Sequence, residues 1–179
     1  KQKKTIEDFK LTNYNKWLIF AQGEYGDVRG AIYSNWSVVD EFPKEIEKIW
    51  YGMDFGFSND PATLIKVGLQ NGEIYCQELL YEVGLTNTDI SDRLKDINFY
   101  NRNEIICDSA EPKSIEELKR LGWLTRGVKT KDILLGIDIL QRYKINVVKP
   151  SNNLIDELVN YTWIEDRSSG KFINKPSSG

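Results

Sequence analysis

The sequence predicts an α/β fold: a mixed sheet, an antiparallel meander followed by parallel strands, flanked by helices. Three observations predict it. Three apolar runs between residues 49 and 81 are joined by short turns, one of them Asn71-Gly72, the dipeptide best suited to the positive φ angles of a two-residue hairpin. From Thr86 onward the apolar period changes from about 2 to about 3.6 residues, marking helices. Short apolar runs then alternate with those helices, an order that implies parallel pairing.

In chain order, residues 1–43 read as an N-terminal arm and residues 44–179 as the body. Within the arm, Trp17-Leu18-Ile19-Phe20 is apolar and Gly23-Glu24-Tyr25-Gly26 turn-like, while Ala31-Ile32-Tyr33 and Trp36-Ser37-Val38-Val39 have extended character, a strand or two packing on the body. The body opens with Ile49-Trp50-Tyr51-Gly52-Met53, a buried-strand pattern that ends in Asp54 and a turn-forming stretch through Asp60-Pro61. Thr63 to Leu69 and Glu73 to Tyr81 complete the meander. Ile90, Leu94 and Ile97 share one face of a helix whose other face is polar.

Glu104-Ile105-Ile106-Cys107 is a short strand ending in Asp108, and Pro112 opens a helix carrying Ile115, Leu118 and Leu121 that Gly122 stops. Trp123 to Arg126 is a strand, and Asp132 to Gln141 places Ile133, Ile137 and Leu140 at helical spacing. Ile145 to Val148 is a strand closed by Lys149-Pro150, followed by a helix from about Asn152 to Asn160 and a terminal hairpin turning through 165–170.

Composition removes several chemistries. The 179 residues contain no histidine, which excludes Ser-His-Asp and Cys-His nucleophile pairs and His-ligated zinc. A net charge of −3 argues against holding nucleic acid by bulk charge, so any basic contact must be local. Cys76 and Cys107, each in an apolar run without CxxC spacing, read as reduced core thiols. No apolar stretch approaches the roughly 18 residues of a membrane span, so no membrane association is expected. No GxxxxGK[ST] or GxGxxG loop is present to cradle the phosphates of ATP or NAD. The chain lacks an initiator Met and stops in loop-like sequence, and is expected to be a piece of a longer one.

Position selects two of the 27 acidic residues. Asp54 and Asp108 each terminate an apolar strand, where a carboxylate is costly to ionise without a cation or hydrogen bonds. On adjacent strands about 4.8 Å apart, both could reach one divalent ion. Hard oxygen ligands suit Mg²⁺ or Mn²⁺, and paired ions roughly 3.5–4 Å apart serve phosphodiester hydrolysis without histidine. The residues alone favour structural roles, with Asp54 accepting backbone N–H groups in its glycine-containing turn and Asp108 capping the following helix. Asp60 reads as an Asx-turn acceptor and Glu111 as a helix cap with a metal role in reserve. Sugar chemistry would also use two carboxylates, but Trp17, Trp50, Trp123 and Trp163 lie in apolar runs and read as core. Between Pro112 and Lys131 six basic residues stand against two acidic ones, with Lys129 and Lys131 in a strand-to-helix loop suited to meeting phosphates.

The run Trp50-Tyr51-Gly52-Met53-Asp54-Phe55-Gly56-Phe57-Ser58-Asn59-Asp60-Pro61 resembles the first nuclease motif of bacteriophage terminase large subunits. Ile106-Cys107-Asp108-Ser109-Ala110-Glu111-Pro112 is similar to the second acidic motif, and Gly127-Val128-Lys129-Thr130-Lys131-Asp132-Ile133 to the lysine-containing stretch that follows. Gly23 to Gly26 and Asn35-Trp36 resemble the family's entry into this domain.

The resemblance implies the C-terminal nuclease domain, a ribonuclease-H-like fold, and two-metal cleavage of concatemeric double-stranded DNA during genome packaging. Asp54 and Asp108 would be the catalytic metal ligands, for two Mg²⁺ or Mn²⁺ ions, and Lys129 and Lys131 would contact DNA. It further implies as partners a preceding ATPase domain, a small terminase subunit and the procapsid portal, acting in the cytoplasm of an infected bacterium and not as a stable part of the mature virion. The family's further acidic ligand follows the terminal hairpin, so it is expected beyond Gly179 and its lack would impair this piece. The rival readings are a non-catalytic DNA-binding or docking module of the motor, and another ribonuclease-H-like nuclease of resolvase or transposase type.

Overall fold

The computed structural model describes residues 29–56 and 59–177. The arm's Trp17 to Phe20 and Gly23 to Gly26 lie outside the described residues. Among the described residues, seven strands form one mixed sheet and two more a separate hairpin. In chain order these are β1 (Trp36–Val39), β2 (Lys48–Asp54), β3 (Pro61–Gln70), β4 (Glu73–Val83), helix α1 (Asn87–Asp96), β5 (Ile105–Cys107) and α2 (Pro112–Arg120). There follow β6 (Thr125–Gly127), α3 (Ile133–Gln141), β7 (Lys144–Val148), α4 (Asn152–Asn160), β8 (Trp163–Glu165) and β9 (Phe172–Pro176). No helix among the described residues is long and apolar enough to cross a membrane.

The sheet order is β1-β7-β4-β3-β2-β5-β6. The meander β2-β3-β4 is antiparallel, and Asn71 and Gly72 turn it with φ of 50° and 72°, the paired positive values such a hairpin needs. Parallel strands extend the meander on both sides: β5 and β6 beyond β2, β7 and β1 beyond β4. Trp36 to Val39, read as packing on the body, therefore joins the sheet as an edge strand.

Two cores result. In the first, α1 and α2 bring Ile90, Leu94, Ile115 and Leu118 onto Met53, Leu64, Leu80 and Ile105. In the second, α4 brings Ile155, Leu158 and Val159 onto Trp36, Ile145 and Val147. Between β3 and β4 the register skips: Leu64 pairs with Leu80 while Ile65 pairs with Glu78. That bulge inverts the alternation along β4, so Cys76 packs in the second core and Leu80 in the first.

Three expectations are corrected. Trp50 is 40% exposed and Ile49 45%: Trp50 shares the face of Gly52, where an added Cβ would meet nothing within 4 Å, and neither residue joins either core. Strand β6 begins at Thr125 rather than Trp123, whose indole is buried and donates to Ser91 Oγ at 2.9 Å. On α3 only Ile137 is buried, with Ile133, Leu134, Leu135 and Ile139 exposed. Helical spacing decides which residues share a face, but not what lies against that face.

Candidate active site at the ends of two parallel strands

Strands β2 and β5 are neighbours and parallel, with Met53 opposite Cys107, so each chain leaves the sheet at the same level. The Asp108 backbone N–H donates to the Met53 carbonyl at 3.2 Å, extending the pairing by one step. Asp54 and Asp108 are thereby placed side by side. Both strands are apolar where they pair, with Met53 and Cys107 buried, while Asp54 is exposed and Asp108 partly so. The two carboxylates thus rise from a rigid, dry base towards solvent.

Their electrostatics differ. Asp54 is pushed above the usual carboxylate value, first because packed protein strips part of its hydration, then because Asp108 repels it. The Phe55 backbone N–H and the Lys131 ammonium act the other way, and Asp60 adds a small repulsion. Asp108 is held below the usual value, first by Lys131 and then by the Ala110 N–H, which donates to Oδ1 at 2.9 Å. Neighbouring groups that diverge in this way are characteristic of functional sites.

Lys131 lies on the loop between β6 and α3 and pairs directly with Asp108 Oδ1. That loop is pinned at both ends. Val128 N–H donates to the Cys107 carbonyl at 2.8 Å, and Asp132 caps α3 by accepting from the Leu135 N–H at 3.0 Å. Lys129 lies on the same loop, exposed, and makes no ion pair among the described residues. Of the other basic residues in this stretch, Arg120 pairs with Glu116 at 3.4 Å and Arg126 with Glu104 at 2.9 Å.

The capping roles considered for Asp108 and Glu111 do not hold. Helix α2 begins at Pro112 with Glu111 at its N-cap and no side-chain cap hydrogen bond, while Asp108 is engaged by Ala110 and Lys131. Proline at the first position already removes one of the orphan N–H groups. Glu111 instead lines a cleft of about 320 Å³ with Phe55, Gly56, Ser114 and Glu117. Asp60, set aside on sequence, acts electrostatically on Asp54 because the turn doubles back tightly. A Cβ built on Gly56 would clash with the Asp60 carbonyl oxygen. That glycine, in the turn between the strand-end acid and Asp60, was the sequence signal for this return.

A family model described as the terminase RNAseH like domain matches residues 54–176, from the first candidate acid to the last strand. The chain belongs to the terminase RNase H-like domain family. Solved structures of this kind share the fold. The nuclease domain of the large terminase of bacteriophage SPP1, determined with bound Mn, aligns with a TM-score of 0.69 and 23% identity over 81% of this chain and 88% of that one. The large terminase of a thermophilic bacteriophage aligns with a TM-score of 0.65 and 25% identity, over 84% of this chain. This chain spans 42% of that thermophilic protein. The P22 large terminase nuclease domain aligns at 0.59 with 12% identity, over 83% and 82% of the two chains. No curated protein sequence matches. The terminase RNase H-like domain here thus forms, among the described residues, a seven-stranded mixed sheet with its two strand-end aspartates adjacent.

The donor set fits a hard divalent cation: carboxylate oxygens, partly hydrated, on adjacent strands, one of them already engaged by an ammonium ion. Among the described residues no cluster of three or more Asp, Glu, Cys or His side chains surrounds one point.

Proposed function

We propose that this chain is the metal-dependent endonuclease domain of a viral DNA-packaging terminase, cutting concatemeric double-stranded DNA. The observation that carries the reading is the register of β2 and β5, which sets Asp54 and Asp108 side by side at one end of the sheet. Family membership and the Mn-bound relative from bacteriophage SPP1 support it. Asp54 and Asp108 would hold Mg²⁺ or Mn²⁺, two ions in the complete site, and the metal would supply Lewis-acid stabilisation of charge at the phosphodiester. Asp54, raised by its surroundings, and Asp108, lowered by Lys131, must both be ionised to bind it. The exposed loop of Lys129 and Lys131 would meet DNA phosphates. On this reading residues 44–179 together with strand β1 are the nuclease body, the residues before β1 an arm, and the partners an ATPase domain, a small subunit and the portal in the infected bacterial cytoplasm.

Cleavage of supercoiled plasmid tests the reading. Nicking or linearisation is expected with Mn²⁺ or Mg²⁺ and none after EDTA; metal-independent cutting would refute it. Lys129→Ala is expected to weaken duplex binding and to lower the slope of log affinity against log salt by about 0.9. An unchanged slope in fluorescence anisotropy would take Lys129 out of the interface. The lack of a third clustered carboxylate among the described residues favours one alternative, a DNA-binding or docking module without catalysis. Calorimetry showing no Mn²⁺ binding would select it.

A further inference from the structure

We infer that Lys131 is a built-in counter-cation of the acidic pair: it holds Asp108 in the metal-free protein, and a divalent ion must displace it to bind. The inference rests on the metal site proposed above and adds a regulation of that site. Its basis is geometric. The Lys131 ammonium contacts Asp108 Oδ1, so it already engages an oxygen that a cation shared by the two acids would need.

The contact is built into the fold. Lys131 is only four residues beyond the end of β6, which pairs with β5 in register up to Gly127 opposite Cys107. The Val128 N–H fixes the loop's start to the carbonyl immediately before Asp108, and the Asp132 cap fixes its end one residue after Lys131. With both neighbouring anchors set, the lysine stem has a short path to Asp108. An empty pair of adjacent carboxylates would repel each other, and a tethered ammonium offsets that repulsion without a diffusible ion. Once displaced, the same ammonium stays within a side chain's length of the site, free to meet a phosphate.

The pair is partly exposed, 47% for the lysine side chain and 37% for the aspartate, so its strength is that of a solvated pair. Lys131→Met keeps the stem and deletes the charge. Calorimetric titration of Mn²⁺ into the full 179-residue chain, without DNA, is expected to show binding about fivefold tighter for Lys131→Met than for wild type. Lys131→Arg should bind as wild type does. Lys113→Met serves as the charge-matched control, since Lys113 is exposed on the first turn of α2 and makes no ion pair among the described residues; it should shift affinity by less than about twofold. Equal or weaker binding by Lys131→Met, or an equal gain in Lys113→Met, would overturn the inference while leaving the metal site standing. Absence of Mn²⁺ binding in wild type and variants alike would overturn the metal site, and this inference with it.

Discussion

Asp54→Asn is expected to lower metal-dependent DNA cleavage by on the order of 10³-fold while leaving the protein at least as stable as wild type. A divalent ion contributes several kcal/mol of charge stabilisation to phosphodiester hydrolysis, and each step of about 1.4 kcal/mol is a factor of ten in rate. Asn preserves the size of the side chain and can still accept the Phe55 N–H, but it is a far weaker ligand for a hard cation. Its effect on stability has the opposite sign. The Asp54 carboxyl is raised in the folded protein by partial loss of hydration and then by Asp108, so the folded state disfavours its charged form. That contribution to stability is fully present below the ordinary carboxylate value and is lost as pH rises from there through the raised value of the folded protein. Asn removes the penalty at neutral pH. Asp108 runs the other way: its lowered value contributes stability at neutral pH that is lost as acid protonates it. Thermal melts near neutral pH beside plasmid cleavage in Mn²⁺ check both halves, and cleavage within about tenfold of wild type would remove Asp54 from the site.

Much of this arrangement was legible because it depends on features local in sequence. A strand that ends in an acid shows itself as an apolar run broken by Asp54 or Asp108, and the Asn71-Gly72 hairpin by its φ requirement. Parallel pairing after the meander follows from strands separated by helices. What was not legible depends on spatial neighbours. The Lys131 contact to Asp108 spans 23 positions and exists only because β6 pairs beside β5, a placement that neither three-residue strand encodes alone. The exposure of Trp50 follows from the open face of β2 that it shares with Gly52, and the place of β1 at the sheet edge follows from β7 accepting a partner on its far side. The inverted alternation in β4 follows from a bulge that no run of residue types announces. Glu111 looked like a helix cap on the logic of the α2 start, yet Pro112 and the Asp108 turn leave that role unused.

Gly56→Ala is expected to damage stability and cleavage together, by about 1–3 kcal/mol and about 10²-fold. The added methyl would clash with the Asp60 carbonyl oxygen and the Pro61 carbonyl carbon. Both are backbone atoms, so no rotamer change relieves the clash and the turn itself must open. Pro61 begins β3, and Thr63 pairs with Asp54, so a shift there passes directly to the strand end that carries the acid. A displacement of about 1 Å at a positioned ligand is enough for the activity loss. Denaturant melts and single-turnover cleavage measure the two effects, and wild-type values in both would show that the turn is not what aims Asp54. The two substitutions lie two residues apart and separate two causes of activity. Asp54→Asn would lose the proposed ligand and keep the scaffold, whereas Gly56→Ala would keep the proposed ligand and move the scaffold. Excess Mn²⁺ should therefore recover part of the activity of Gly56→Ala, where a displaced carboxylate still binds weakly, and little of that of Asp54→Asn.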